Sequence, residues 1–434
     1  MKNFKVLPIT FAVASILSSA SVFAADTDIS ALEKRIQELE AKAVEINYVH
    51  DQQQAVLTPD TKVPQGIVFS GYARYGAHYS DGDKRYVEVG SSGKSLGRLG
   101  NEANGGEFQF GKIFQADNGA KWDIVLMVDD WNNDQWSSSG GVNLKKMYAG
   151  VTNIFESQPE LYMWAGRDFH GRLQQGLNDY FVFTHDGQGA GFNNLNLGGA
   201  KLDMGFVAQV DSEGSSALGN DTGIYAITSK LHGINAGIGN LDLYANYGFA
   251  SDEADANKTN EDSWQVGAVL GLGSSNKLVM KYTDGADNSA FDLAGDKQVV
   301  YASLEGNAKA SDQFIIDYLV SYKNIAGADA DEKNEYAGIV RPQYQWDEVH
   351  STWLEAGYAM EDWDNGKEVN GWKVTLSQNV SLGGLPWSRP MLRFYTTVGD
   401  VETTEAGSST STTVDTVAVG AMFEAEGVQN SVSG

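Results

Sequence analysis

The stretch Lys201-Leu-Asp-Met-Gly-Phe-Val-Ala-Gln-Val210 decides the fold. Leu202, Met204, Phe206, Ala208 and Val210 alternate with Lys201, Asp203, Gly205, Val207 and Gln209. Successive side chains of a strand point to opposite faces, so this is a strand with one apolar and one mostly polar face. The pattern repeats in Leu241–Phe249, where Leu241, Leu243, Ala245, Tyr247 and Phe249 oppose Asp242, Tyr244, Asn246 and Gly248. In Trp372–Leu382 the polar set is Lys373, Thr375, Ser377 and Asn379. Clusters such as Asp81-Gly82-Asp83, Asp211-Ser212-Glu213-Gly214 and Asp284-Gly285-Ala286-Asp287 separate such segments and read as turns.

Composition narrows the classes. The 434 residues are 42% hydrophobic and 11% aromatic, enough apolar surface to offset the entropy of ordering. A formal charge of -26 argues against a nucleic-acid partner, whose phosphates call for Lys and Arg. The absence of Cys removes disulfide frameworks, thiolate metal sites and cysteine nucleophiles. No proline-rich linker divides the bulk of the chain, which favours one large domain.

Two architectures use such strands, a soluble β-sandwich and a transmembrane β-barrel. Past residue 24 no run of about 18 apolar residues exists, so helical spanning is excluded. Strands of roughly 9 to 11 residues with aromatic residues near their ends fit a barrel. Phe69, Tyr75 and Tyr79 share the outward face of the first strand. From residue 67 onward the chain can supply about 16 to 18 strands at roughly 20 residues each with its turn. A barrel that wide encloses water. The expected fold is therefore all-β, a transmembrane antiparallel β-barrel.

Three segments precede the barrel. Residues 1–24 carry Lys2 and Lys5, an apolar run and the small-residue exit Val22-Phe23-Ala24, the pattern of a cleaved secretory signal. Its removal takes the formal charge from -26 to -28, which predicts a cation preference. Within residues 25–49, Ile29, Leu32, Ile36, Leu39, Ala43 and Ile46 form a heptad stripe, which predicts a short α-helical coiled coil. Residues 50–66, with Pro59, Pro64 and Gly66, read as a linker to the barrel at 67–426, and 427–434 as an atypical tail.

On the first strand Tyr72 and Arg74 fall on the polar face with Ser70, Gly76 and His78. A ring beside a guanidinium suits a sugar, whose pyranose face is apolar and whose rim exchanges hydrogen bonds. The bland alternative is a space-filling Tyr72 and an Arg74 that sets a general field. Phe69-Ser-Gly-Tyr-Ala-Arg74, Gly97-Arg-Leu-Gly-Asn-Glu102, Trp164-Ala-Gly-Arg167, Gly189-Ala-Gly191, Arg341-Pro-Gln-Tyr-Gln-Trp346, Glu355-Ala-Gly-Tyr358 and Trp387-Ser-Arg-Pro390 resemble, in order, landmarks of the maltoporin family of outer-membrane sugar porins. The coiled-coil segment is similar to that of the sucrose-porin and aryl-glucoside-porin branch.

That resemblance implies a homotrimer of barrels of about 18 strands in outer-membrane lipid of a Gram-negative bacterium, without cofactors. It implies facilitated diffusion of an oligosaccharide or glucoside along an aromatic slide flanked by a polar track. Tyr72 and Trp346 match slide positions. Trp131 matches a second-loop tryptophan that enters a neighbouring subunit's pore, with Trp136 a rival for that role. Arg74, Arg98, Glu107, Lys145, Arg172 and Asp179 match polar-track positions. Phe181 stands where the family has a constriction tyrosine, Gln174 where it has an aspartate, and Glu426 where a terminal slide tryptophan is expected. Without the tyrosine hydroxyl the constriction is expected to be wider or drier. The family's first-loop cysteine pair is absent, and no aromatic residue closes the chain.

Two other classes are compatible with such a barrel. A non-selective diffusion porin shares the barrel without the aromatic ladder. A barrel enzyme or adhesin is a further alternative, and a hydrolase needs a nucleophile, base and orienting group within reach. His170 and His185 flank Asp179, with Asp186 just beyond, but no Ser lies between them. The acidic clusters at Asp129-Asp130 and Asp329-Ala-Asp331-Glu332 lack the spacing of a calcium loop, and no metal is expected.

Overall fold

The computed structural model describes residues 56–64, 66–81, 86–131, 142–210, 221–255, 258, 261–273, 275–328, 331–382 and 390–430, with backbone alone at 81 and 425–430. The signal, the coiled coil, Trp136, Trp387 and residues 431–434 lie outside the described residues.

The strands are β1 (Val68–Asp81), β2 (Gly105–Gln115), β3 (Lys121–Asp130), β4 (Asn143–Thr152), β5 (Tyr162–Asp168), β6 (Leu173–Gln175), β7 (Tyr180–Phe183), β8 (Gly187–Asn196), β9 (Lys201–Val210) and β10 (Asp221–Asn235). They continue as β11 (Asn240–Ala250), β12 (Asp262–Leu272), β13 (Asn276–Asp284), β14 (Gln298–Lys309), β15 (Phe314–Ala326), β16 (Lys333–Gln345), β17 (His350–Trp363), β18 (Glu368–Ser381), β19 (Met391–Thr404) and β20 (Ser411–Asn430). Eighteen of them form one sheet, and β6 and β7 form a separate hairpin. Each barrel strand pairs antiparallel with the next, β5 reaches β8 around the hairpin, and β20 pairs with β1 from Val68↔Asn430 to Asp81↔Val417. The sheet is closed, which removes the edges that would otherwise offer unpaired backbone groups.

The alternation read from the sequence sets the wall. Met204 and Phe206 lie exposed on the outside of β9 while Val207 is buried inside. Trp372 and Leu376 face out, and Lys373, Thr375, Ser377 and Asn379 are all fully buried inside. The outward set includes Trp122, Phe206 and Phe394, each close to half exposed, as an apolar surrounding requires.

Inward polar side chains are buried because loops fold into the barrel. Residues 86–104 lie against β16–β19. There Arg393 donates to Glu102 at 2.9 Å and to Glu424 at 3.2 Å, and Leu99 N–H donates to Glu355 at 2.9 Å. Gly97 takes φ +98°, and a Cβ there would collide with the Glu355 carboxylate, so the approach requires glycine. The β6–β7 hairpin crosses to β13 and β14, where Gln175 donates to Ser303 at 2.8 Å and Lys281 donates to the Val182 carbonyl at 3.1 Å. Residues 285–297 fold in beside it. Asp287 accepts from Lys323 at 2.8 Å and from Lys281 at 3.2 Å.

Candidate functional site

These inward loops leave a cavity of about 910 Å³ along the β1–β5 side, within the range of small-molecule sites. Tyr72, Arg74, Glu107, Trp131, Lys145, Arg172, Asp179 and Phe181 border it, so eight of the ten residues singled out from the sequence converge on one space.

Tyr72 and Trp131 form an aromatic corner, their ring centres 5.7 Å apart and their planes at 52°. The Arg74 guanidinium carbon lies 5.5 Å from the first ring centre and 5.4 Å from the second. Trp131 also donates its indole N–H to Glu107 at 3.4 Å. The backbone explains the meeting. Tyr72 is paired with Glu107 across β1 and β2, and Asp129, two residues before Trp131, is paired with Glu107 across β2 and β3. Within its own chain the Trp131 ring packs on Tyr72. Lys145 pairs with Asp129 at 3.3 Å, and Asn143 donates to the same carboxylate at 3.1 Å.

The opposite wall of the cavity is the neck of the β6–β7 loop. Arg172 lies face-on to Phe169, with its guanidinium carbon 3.4 Å from the ring centre, and 4.8 Å from that of Phe181. Its Nε donates to Asp186 at 2.7 Å, and its Nη2 pairs with the other oxygen of the same carboxylate. Two rings and a bidentate carboxylate fix the cation in one orientation. Phe181 thus packs against a cation at the point where a missing hydroxyl was expected to widen the neck. Gln174 donates its amide to Asp179, which is held at φ +55°.

Arg98 and Trp346 stand apart. Arg98 is absent from the cavity border, and its backbone N–H is bound to the Leu177 carbonyl at 2.9 Å. Burial works against its charge, but Asp179, Glu424, Glu102 and Glu355 outweigh that and raise its pKa. Trp346 lies in the short turn after β16, 59% exposed, with its ring 4.6 Å from Tyr344 and its N–H on Thr352 at 2.8 Å. Both partners lie on outward faces of their strands, so Trp346 belongs to the outer girdle. The inward tryptophan of that wall is Trp353, 4% exposed beneath Arg393. β17 alternation marks Trp353 as inward, a signal the motif match at Trp346 obscured.

Beneath the hairpin lies a second cavity of about 260 Å³, bordered by residues that include Asp203, Lys230, His232, Tyr244 and Val56. Arg172 borders both cavities. His232 meets Asp203 at 3.0 Å, and Lys230 meets Asp242 at 3.2 Å.

The histidines weighed as catalytic are buried at the loop's neck. His170 bonds Thr228 at 2.6 Å, and His185 accepts from the Ala290 N–H at 3.2 Å. Among the described residues their Nδ1 atoms have no hydrogen-bond partner. Burial lowers His170 to about 4 and His185 to about 3, so both are neutral and structural near pH 7. Among the described residues no group of three His, Cys, Asp or Glu could hold a metal ion.

Asp186 and Phe169 were missed as site residues. Both lie between the Trp164-Ala-Gly-Arg167 and Gly189-Ala-Gly191 landmarks, and the return of the chain between those strands brings them beside Arg172.

A family model described as LamB porin matches residues 67–425. A maltoporin of Vibrio cholerae serotype O1 is 28% identical over 375 residues, 76% of this chain and 88% of that protein. A maltoporin of Photobacterium profundum is 26% identical over 383 residues, 79% of this chain and 89% of that one. Among solved structures, Pseudomonas aeruginosa OccD3 (OpdP) superposes with a TM-score of 0.48 at 11% identity, covering 86% of this chain and 95% of its own.

Proposed function

The chain belongs to the LamB porin family, and from that premise we propose that it passes oligosaccharides or glucosides by facilitated diffusion, with Tyr72 and Trp131 as an aromatic slide. It is a channel of the Gram-negative outer membrane and not an enzyme. The observation that carries the sugar reading is the aromatic corner with Arg74 against both rings, opening on a cavity whose other walls mix charged and apolar side chains. An apolar sugar face stacks on the rings while Arg74, Glu107, Lys145, Arg172 and Asp179 exchange hydrogen bonds with its hydroxyls. Arg98 acts from behind this wall by holding the charges of loop 86–104.

The organisation around the barrel belongs to the same proposal. It comprises signal removal after Ala24, a coiled coil within 25–49, a homotrimer, lipid against the outward face, and an atypical tail at 427–434. A non-selective diffusion porin is the second reading. It is favoured by the outward Trp346 and by the pairing of Tyr72 with Glu426, which leave the aromatic path short.

Ion current through the reconstituted protein separates the two readings. A disaccharide or aryl-glucoside is expected to block it in a saturable way. Current indifferent to all common disaccharides at millimolar concentration would sink the sugar-selective reading.

A further inference from the structure

Residues 56–64 carry two prolines and precede the barrel, the composition of a tether through water. Leu57 is instead 2% exposed and packs in one cluster with Val68, Ile113, Val125, Tyr148 and Tyr162. The last four are inward residues of β2, β3, β4 and β5, towards the short-turn ends of those strands. A side chain meets that set only from within the barrel, and short turns mark the periplasmic mouth.

The segment is held there by more than Leu57. Thr58-Pro-Asp-Thr61 is a turn in which Pro59 presets φ. The Thr61 N–H donates to the Thr58 carbonyl at 3.1 Å, and the Thr58 N–H donates to Thr61 Oγ1 at 2.9 Å. The Lys121 ammonium, at the turn end of β3, donates to the carbonyls of Pro59 and Thr61. Val56 and Val63 add apolar contact, and Val56 borders the cavity beneath the hairpin.

We propose that residues 56–64 form a fixed sill in the periplasmic mouth, filling the lumen along β1–β5 and confining outgoing solute to the β8–β11 wall. The sill rests on the channel reading above and adds to it the exit geometry. The open half is lined by Asn193, Asp203, Lys230, His232 and Tyr244, so a departing sugar keeps hydrogen-bonding partners and an aromatic face after it clears Arg172. On the filled half the inward polar groups are buried against other parts of the chain, as Tyr162 is on Asp123 at 2.9 Å and Lys121 on the segment's own carbonyls. The sill therefore sets which side of the exit the solute uses, and it narrows the path for ions as well.

The chain has no Cys, so one introduced thiol reports alone. Val56→Cys in the full-length protein, reconstituted in a planar bilayer, is treated with a bulky charged methanethiosulfonate. A stepwise loss of open-channel current is expected. Asp347→Cys, on an exposed short turn at the same end, is expected to label without loss. Lys121→Met removes the tie to the two carbonyls and is expected to raise open-channel current. Complete labelling of Val56→Cys by mass with unchanged current would overturn the sill. So would a thiol that labels only in denaturant, or a Lys121→Met channel with wild-type current. An unmodified chain that conducts ions but ignores sugars overturns the sugar reading alone, whereas one that conducts nothing overturns the channel and the sill together.

Discussion

Gln174 donates its side-chain amide to the carboxylate of Asp179, bridging the hairpin that narrows the barrel. The resemblance implies an acidic residue at position 174, so this chain carries one negative charge fewer at the neck and replaces repulsion with a hydrogen bond. That bond steadies a non-glycine residue in left-handed backbone, a conformation costing about 1 to 2 kcal/mol that Asp tolerates better than most.

Gln174→Asp restores the carboxylate pair, and two acids in contact do not both ionise freely. Sugar block of ion current is expected to weaken near neutral pH and recover as the pair takes up a proton on acidification. A block unchanged between pH 5 and 8 would show that the amide is interchangeable with the acid.

Replacing Arg172 by Ala removes a charged hydrogen-bond donor, expected to weaken sugar binding by about 1 to 3 kcal/mol. Arg172→Lys keeps the charge but loses the bidentate grip on Asp186 and the planar contact with Phe169, so it should fall between wild type and Ala. Titration of current block with a disaccharide measures both. Lys at wild-type affinity would assign the effect to charge alone.

Tyr72→Ala and Trp131→Ala each remove one ring of the corner. A loss of about 0.5 to 1.5 kcal/mol is expected for the pair contact itself, read as coupling in a double-mutant cycle on the blocking constant. Strictly additive losses would mean that the rings act separately on the solute.

His170 and His185 make the docking of the β6–β7 loop pH-dependent. Burial lowers His170 from its ordinary 6.5 to about 4 and His185 to about 3. The undocked loop binds protons first, so docking is fully stable above about 6.5 and weakens as pH falls towards 4 and then 3. Current fluctuations are expected to grow over that interval and to shrink in His170→Gln. Quiet channels at pH 4 would contradict this.

Asp287 is a shared counter-charge for Lys281 and Lys323, and although burial opposes its ionisation, these ammonium groups lower its pKa below the ordinary carboxylate value. Asp287→Asn strands both cations and is expected to cost about 3 to 5 kcal/mol of loop docking. Proteolysis of folded protein at residues 285–297 would report it.

The wall was legible because each barrel strand separates a polar interior from an apolar exterior, and a period of two survives any loop between strands. Met204 and Phe206 outside with Val207 inside is the arrangement their alternation predicts. The filling of the barrel was not legible. Ser91 meets Glu335 and Gln175 meets Ser303 across more than a hundred residues of chain, and no local pattern encodes such a pairing. Trp346 misled because its motif runs past the end of β16, where strand parity no longer dictates which side a ring takes. The packing of the proline-bearing segment at 56–64 was equally hard to read, since only Val56, Leu57 and Val63 distinguish a packed stretch from a solvated one.

Arg172 borders the wide compartment above the hairpin and the small one below it. On the proposed path, a solute crossing the neck would exchange one set of neighbours for another while the same guanidinium stays in reach. On that path the two compartments share a wall, and the shared guanidinium is what would lower the barrier between two wells.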